Sequence, residues 1–269
     1  SRSSAASDVY KRQILIIIQS FISSFDTVGL ILIISLTLIG SIVAGMSGYG
    51  AGILIGVVLM PMVGVKKIVP IVTILTFYIN FWRIILYWEH INWKKSLYFS
   101  VFAAPGLYFS TYFFAVASTK TLTLIVGFSI FFLVILRKFF LNLNIYLNNQ
   151  FLAFYAILTG LSLGVILGPG LMILTGLSAS GLTGSNLVGS SSVADLITII
   201  VRSIYFFNLG VIDLEIFTIG SFLGLMCLFG TYIGKKIVDK IGKKLHQNLI
   251  EFFMISGSII MIIRALTLD

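Results

Sequence analysis

Three charged side chains lie inside long apolar stretches of the sequence. Arg83 and Arg202 each lie in one such stretch, and Asp195 lies in the apolar run VADLITII. A charge at membrane depth costs several kcal/mol unless it is paired or neutralised, so such residues mark substrate or ion pathways. The two arginines could surround an anion, and Asp195 could carry a proton. The alternatives are that the arginines extend to the membrane interface and that Asp195 belongs to a structural pair.

Two glycine-rich breaks interrupt the apolar runs, GMSGYGAG at 45–52 and GVILGPG at 164–170. A helix that restarts at membrane depth presents unpaired N–H groups and about half a positive charge. Two such ends would bind an anion, and a proline suits the first turn of a restarting helix. Alternatively, the glycines are close-packing helix faces. The candidate substrate-binding residues of the breaks are Ser47, Gly48, Tyr49, Gly50, Gly168, Pro169 and Gly170.

Small polar side chains follow each break inside the apolar spans. Serine and threonine commonly bond to their own helix backbone, but a run of adjacent serines is expensive against lipid, so we expect at least one to line a cavity. These residues complete the predicted binding set: Thr73, Asn80, Arg83, Ser191, Ser192 and Arg202, with Asp195 as the proton-coupling group. We predict no catalytic residue, no metal site and no cofactor, since the two histidines are far apart and Cys227 is the single cysteine.

Composition defines the class of protein. The 269 residues are 58% hydrophobic and 10% charged, whereas soluble domains carry about 25% charged residues. The apolar runs are continuous, which favours an all-α polytopic membrane protein with room for about eight to ten spans. The net charge of +9 lies in short loops, as membrane topology demands. We therefore expect lipids and a small anion as partners, no nucleic acid, and a multi-pass location in the cytoplasmic (inner) membrane.

The chain divides into two similar halves. We expect a tail over 1–27, with a short interfacial helix and a non-native segment 1–13, then a first repeat over 28–140, a linker over 141–150 and a second repeat over 151–269. Gly40, Gly48 and Gly50 fall opposite Gly160, Gly168 and Gly170, at an offset of 120. Such duplication with broken segments is typical of secondary transporters. If each break is a hairpin followed by three helices, the halves are inverted, and this places more lysine and arginine on one side.

The motifs resemble those of the sulfite and organosulfonate exporter family of the TauE/SafE type. The first half has GMSGYGAG, Thr73 and RIILYWEHINW (83–93), and the second has GPG, Ser191–Ser192 and RSIYFFNLGVID (202–213). The likeness covers about residues 30–266. It implies transport of sulfite, sulfonates or related organosulfur anions across a cytoplasmic membrane. Tyr49 and Pro169 depart from the fuller glycine run of the family.

These observations favour a secondary transporter that moves a small anion by alternating access, with possible coupling to protons. A passive anion channel is the nearest alternative. An intramembrane enzyme would need a convergent acid/base or metal set, for which the apolar segments offer only Asp195, two arginines and hydroxyls. A structural membrane partner protein would instead have both glycine breaks filled by neighbouring side chains.

Overall fold

The computed structural model describes residues 2–47, 49–142, 146–168 and 170–237, together with 259, 262, 263 and 266. These residues form helices and no strand, as the composition predicts. The helices are α1 (Arg2–Ser23), α2 (Thr27–Ser47), α3 (Ala51–Val63), α4 (Val65–Leu86), α5 (Trp93–Val116), α6 (Thr119–Asn142), α7 (Asn149–Leu163), α8 (Gly170–Ala179), α9 (Gly184–Asn208) and α10 (Leu214–Ile237), with a short 3-10 helix at Trp88–His90 between α4 and α5.

Five of the described helices are long and apolar enough to cross a membrane: α2, α4, α5, α9 and α10. The count is lower than the expected eight to ten, partly because the breaks divide two apolar runs into shorter helices and partly because only Thr119–Phe132 of α6 is counted. Helices α3, α7 and α8 have 13, 15 and 10 residues, fewer than the roughly 20 that a span needs. The span expected near residues 250–263 lies almost wholly outside the described residues.

The helix ends at both glycine-rich stretches, as the sequence predicts. Between α2 and α3, Gly50 has φ 106°, and between α7 and α8, Gly168 has φ 73°. Glycine adopts these left-handed angles without the penalty that a Cβ would bring. The result is two helical hairpins, α2–α3 and α7–α8. Gly48 and Pro169, expected within the breaks, lie outside the described residues.

Glycines also bring pairs of spans into close contact. A Cβ on Gly160 of α7 would overlap the Ala103 carbonyl of α5, and one on Gly45 of α2 would overlap the Thr231 carbonyl of α10. Ser110 strengthens the first pair, because its hydroxyl donates to the Gly160 carbonyl at 2.9 Å. The packing interpretation is therefore correct for Gly45 and Gly160, since small residues let membrane helices approach closely.

Helices α4 and α9 pack against each other in opposite directions. Asn80 of α4 lies against Asp195 of α9, whereas Tyr87, just after the end of α4, lies against Gly189, nearer the start of α9. Helix α10 covers α4, and α5 covers α9. This arrangement places the middle of α9, with Asp195, in the interior of the helix assembly.

Gly160→Ala should destabilise the protein by about 1–3 kcal/mol, because the added methyl overlaps backbone and forces α5 away from α7. The matched control is Gly40→Ala, at the position aligned with Gly160 in the other half. Its Cβ would meet Ile55 Cγ1 at 3.3 Å and Cδ1 at 3.5 Å, and the Ala51 Cα at 3.6 Å, so it overlaps no backbone atom. Thermal unfolding in detergent should show a clear loss for Gly160→Ala and little change for Gly40→Ala. Equal losses would contradict this account of the α5–α7 contact.

Candidate functional site

The two helix breaks meet in the interior. A Cβ on Gly52, in the first turn of α3, would lie 3.6 Å from the Gly168 Cα, and a Cβ on Gly168 would overlap the side chain of Ile53. The same Gly52 Cβ would lie 3.4 Å from Cγ2 of Thr76, which lies halfway along the 22-residue helix α4. The start of α3 and the second break therefore share one location near the middle of a span.

The first turn of α3 leaves amide groups without helical partners at this location. The first hydrogen bond of the helix runs from the Leu54 amide to the Gly50 carbonyl at 2.9 Å. The three preceding amides, at residues 51–53, have no acceptor within the helix. Ala51 and Ile53 are buried. A buried helix N-terminus favours negative charge, both through its free amides and through the helix dipole.

Asn80 joins α4 to the carboxylate of α9. Its amide nitrogen donates to Asp195 Oδ2 at 2.8 Å and to the Thr76 carbonyl at 3.0 Å, while its oxygen accepts from Arg83 Nη1 at 2.9 Å. Both amide protons are thus used. Asn80 bridges Arg83 and Asp195, which form no direct ion pair. The polar cluster formed by Asn80, Arg83 and Asp195 begins one helical turn from Thr76, where the breaks meet.

Arg83 lies in the interior and does not extend to the membrane interface. Its side chain is only 2% exposed. Besides Asn80, its guanidinium donates from Nη2 to the Val188 carbonyl at 3.1 Å and to the Ser191 hydroxyl at 3.4 Å. The Nε–H group has no hydrogen-bond partner among the described residues. The interface interpretation is therefore wrong for Arg83.

Arg202 is buried in the same way, at 4% exposure, and it contacts the second break. Its Nη2 donates to the Gly164 carbonyl at 3.1 Å, just after the end of α7. Its guanidinium lies 5.1 Å from the centre of the Phe206 ring. Its Nε–H, like that of Arg83, is unpaired among the described residues. Arg202 thus positions the end of α7, and the interface interpretation is wrong here too.

The buried charges do not balance. Among the described residues, the buried charged side chains are Arg83, Arg202 and Asp195. Both arginines interact electrostatically with the Asp195 carboxylate, so the three groups form one electrostatic unit. With all three ionised, that unit carries one excess positive charge. A buried uncompensated charge is strongly unfavourable, so the unit favours an anionic partner.

The other predicted residues divide into two groups. Thr73 and Ser192 bond back to their own helices, at Val69 O (2.8 Å) and Val188 O (2.6 Å), which is the ordinary role of such hydroxyls. Ser191 also bonds back to Val188 O, at 3.0 Å, but it contacts Arg83 as well. Tyr49 is buried near the first break, and Gly170 begins α8. The Ser47 side chain, like Gly48 and Pro169, lies outside what the structure describes.

Sequence reasoning missed the groups that hold the cluster in place. Thr76 lies four residues before Asn80, so the helical period alone could have placed both on one face. The Gly164 and Val188 carbonyls, which bind the two arginines, could not have been identified, because every residue has a carbonyl. Ser190, one of the adjacent serines noted in the sequence, accepts from the Asn92 amide at 2.8 Å and so joins α9 to the start of α5.

The apolar helices define a multi-pass membrane protein, and its interior holds a cluster of buried charges. Residues 32–261 match the family described as Sulfite exporter TauE/SafE, which is most of the chain. The chain belongs to this family, a family of membrane transporters. No curated protein matches the chain. No solved structure matches it either.

Gly168→Ala should destabilise the protein by more than the left-handed backbone angle of Gly168 alone would explain, because the added methyl also overlaps Ile53. The φ of 73° costs an alanine about 1–2 kcal/mol, and the overlap with Ile53 adds about 1–3 kcal/mol. Gly210→Ala is the matched control, with φ 67° and open space around the added Cβ. In thermal unfolding, Gly168→Ala should lower the melting temperature more than Gly210→Ala does. Equal destabilisation would show that the Ile53 contact is loose.

Proposed function

We propose that the protein is a secondary transporter in the cytoplasmic membrane that moves a small anion, such as sulfite or a sulfonate, by alternating access. The observation that carries this proposal is the excess positive charge of Arg83, Arg202 and Asp195, buried in a cluster that begins one helical turn from the point where the two helix breaks meet. Family membership supports a sulfite-like cargo. The predicted substrate-binding residues that best fit this role are Asn80, Arg83 and the break residues around Gly50 and Gly168.

The chemistry of the site suits an anion that binds reversibly. The excess charge attracts an anion, while Asp195 lowers the net positive charge, so a bound anion can also be released. The unpaired Nε–H groups of Arg83 and Arg202 and the free amides of α3 are donors for anionic oxygens. A site built from several moderate donors is what a transporter needs, since cargo must leave as well as bind.

The helix pairings support inverted halves. Helix α2 packs on α10 as α7 packs on α5, and α4 contacts α10 as α9 contacts α5. If each helix is replaced by its counterpart in the other half (α2 by α7, α4 by α9 and α5 by α10, and the reverse), each of these contacts becomes another contact of the same set. The matching helices α4 and α9 run in opposite directions, as an axis in the membrane plane requires. Halves of this kind permit alternating access by a rocking motion around a central site.

The ends of the spans differ in charge, which gives an orientation. Lys95 donates to the Ser180 carbonyl, and Lys235 donates to the Leu86 carbonyl at 2.5 Å, so both lie at the end where α4 finishes. The opposite end carries Lys67 in an ion pair with Glu215 at 3.0 Å. By the positive-inside rule, the end with Lys95 and Lys235 faces the cytoplasm.

Arg83→Gln should lower sulfite flux in proteoliposomes by at least about thirtyfold, since removing one partner of a buried hydrogen-bonded charge costs about 2–5 kcal/mol. The control is Lys67→Gln, which removes an exposed ion pair worth at most about 1 kcal/mol and should leave flux nearly unchanged. Sulfite on the opposite side should accelerate wild-type efflux. Flux without this acceleration would favour a channel, and wild-type flux in Arg83→Gln would contradict the proposed site.

Asp195→Asn should abolish the dependence of flux on a proton gradient while the protein still inserts and folds. The carboxylate is the buried acidic group of the described spans, so it is the group that can gain and lose a proton there. Glu215→Gln, at the surface, should keep the wild-type dependence. Unchanged gradient dependence in Asp195→Asn would remove this residue from proton coupling.

A further inference from the structure

The two carboxylate oxygens of Asp195 have different surroundings. Oδ2 accepts a hydrogen bond from Asn80 at 2.8 Å. Oδ1 is buried and has no hydrogen-bond partner among the described residues, on a side chain that is 7% exposed. Buried acceptors in proteins are nearly always paired, and an unpaired one is costly. Oδ1 is therefore an acceptor held ready for a donor.

The hydrogen bonds of the neighbouring side chains are directed to other acceptors than Oδ1. The two amide protons of Asn80 go to Thr76 and Asp195. The Thr198 hydroxyl donates to the Asp195 backbone carbonyl at 2.9 Å. The Nη groups of Arg83 donate to Asn80, Val188 and Ser191. Among the fully buried polar atoms of the cluster, those without a partner in the described residues are one acceptor, Asp195 Oδ1, and the Nε atoms of the two arginines.

We propose that the cargo is a singly charged anion that carries its own hydroxyl donor, and that this O–H group donates to Asp195 Oδ1. The inference rests on the proposed anion site and names its substrate class. One negative charge on the cargo balances the single excess positive charge of the cluster. The anionic oxygens accept from an unpaired arginine N–H group of the cluster, and the hydroxyl satisfies Oδ1. Hydrogen sulfite and 2-hydroxyalkanesulfonates have this pattern, whereas simple alkanesulfonates lack the donor.

Such a site should discriminate strongly against an anion that lacks the hydroxyl. A binding site with a buried polar group rejects an analogue that leaves this group unpaired far more effectively than it rejects one of different size. The two-carbon sulfonates provide a matched pair of probes. Isethionate (2-hydroxyethanesulfonate) and ethanesulfonate have the same charge and the same carbon chain, and they differ by one hydroxyl.

The experiment is calorimetric titration of the purified full chain in detergent with isethionate, ethanesulfonate and sulfite. Isethionate should bind at least about tenfold more tightly than ethanesulfonate, which corresponds to the cost of one unpaired buried acceptor. Equal affinities for isethionate and ethanesulfonate would overturn the inference and leave the proposed anion site intact. Absence of binding by all three anions would overturn the proposed function and this inference together.

Asp195→Asn provides the second measurement. Asn80 would continue to donate to the oxygen of the introduced amide, and this places the new NH2 group at the position of Oδ1. A donor then replaces the acceptor, so the preference for isethionate should fall to about twofold or less. Glu215→Gln should keep the wild-type preference. A tenfold preference that persists in Asp195→Asn would show that the hydroxyl is recognised elsewhere and would overturn the inference.

Discussion

The structure depends on an imbalance of buried charge. Two guanidinium groups and one carboxylate lie in the interior of the described spans, although each charge is costly there. The protein reduces this cost with neutral partners: Asn80 bridges Arg83 and Asp195, and the Gly164 carbonyl holds Arg202. One positive charge remains without a counter-charge. An anion that enters from water can supply the missing counter-charge. The same buried groups that are costly for folding are therefore the groups that would bind the anion.

The backbone around the cluster serves the same purpose. Two helices stop near the middle of the fold, and the start of α3 touches the second break through Gly52 and Gly168. An uninterrupted helix uses its amides in i to i−4 bonds, whereas the start of α3 leaves the amides of residues 51–53 without acceptors in the helix. Arg202 connects the two features, because it binds the carbonyl that follows α7. Side-chain charge and backbone polarity therefore both occur in the interior around the breaks.

Much of this arrangement is predictable from the sequence. Helical spans follow from composition, the breaks follow from glycines 48, 50, 168 and 170, and the importance of Arg83, Asp195 and Arg202 follows from the rarity of charge in apolar runs. The partners do not follow in the same way. The contact between Asn80 and Asp195 joins positions 115 residues apart, and the carbonyls that hold the arginines have no side-chain signature. Thr73 and Ser192 belong to the polar residues that only satisfy their own helices.

The most direct test of the central claim is to locate a bound anion. Selenite is an isosteric substitute for sulfite, and its selenium can be located by anomalous diffraction from crystals of the protein. We predict one strong site within hydrogen-bonding distance of the Arg83 guanidinium and beside the Asp195 carboxylate, next to the contact between Gly52 and Gly168. A protein that transports selenite but binds it only at the membrane surface, away from these groups, would contradict the account.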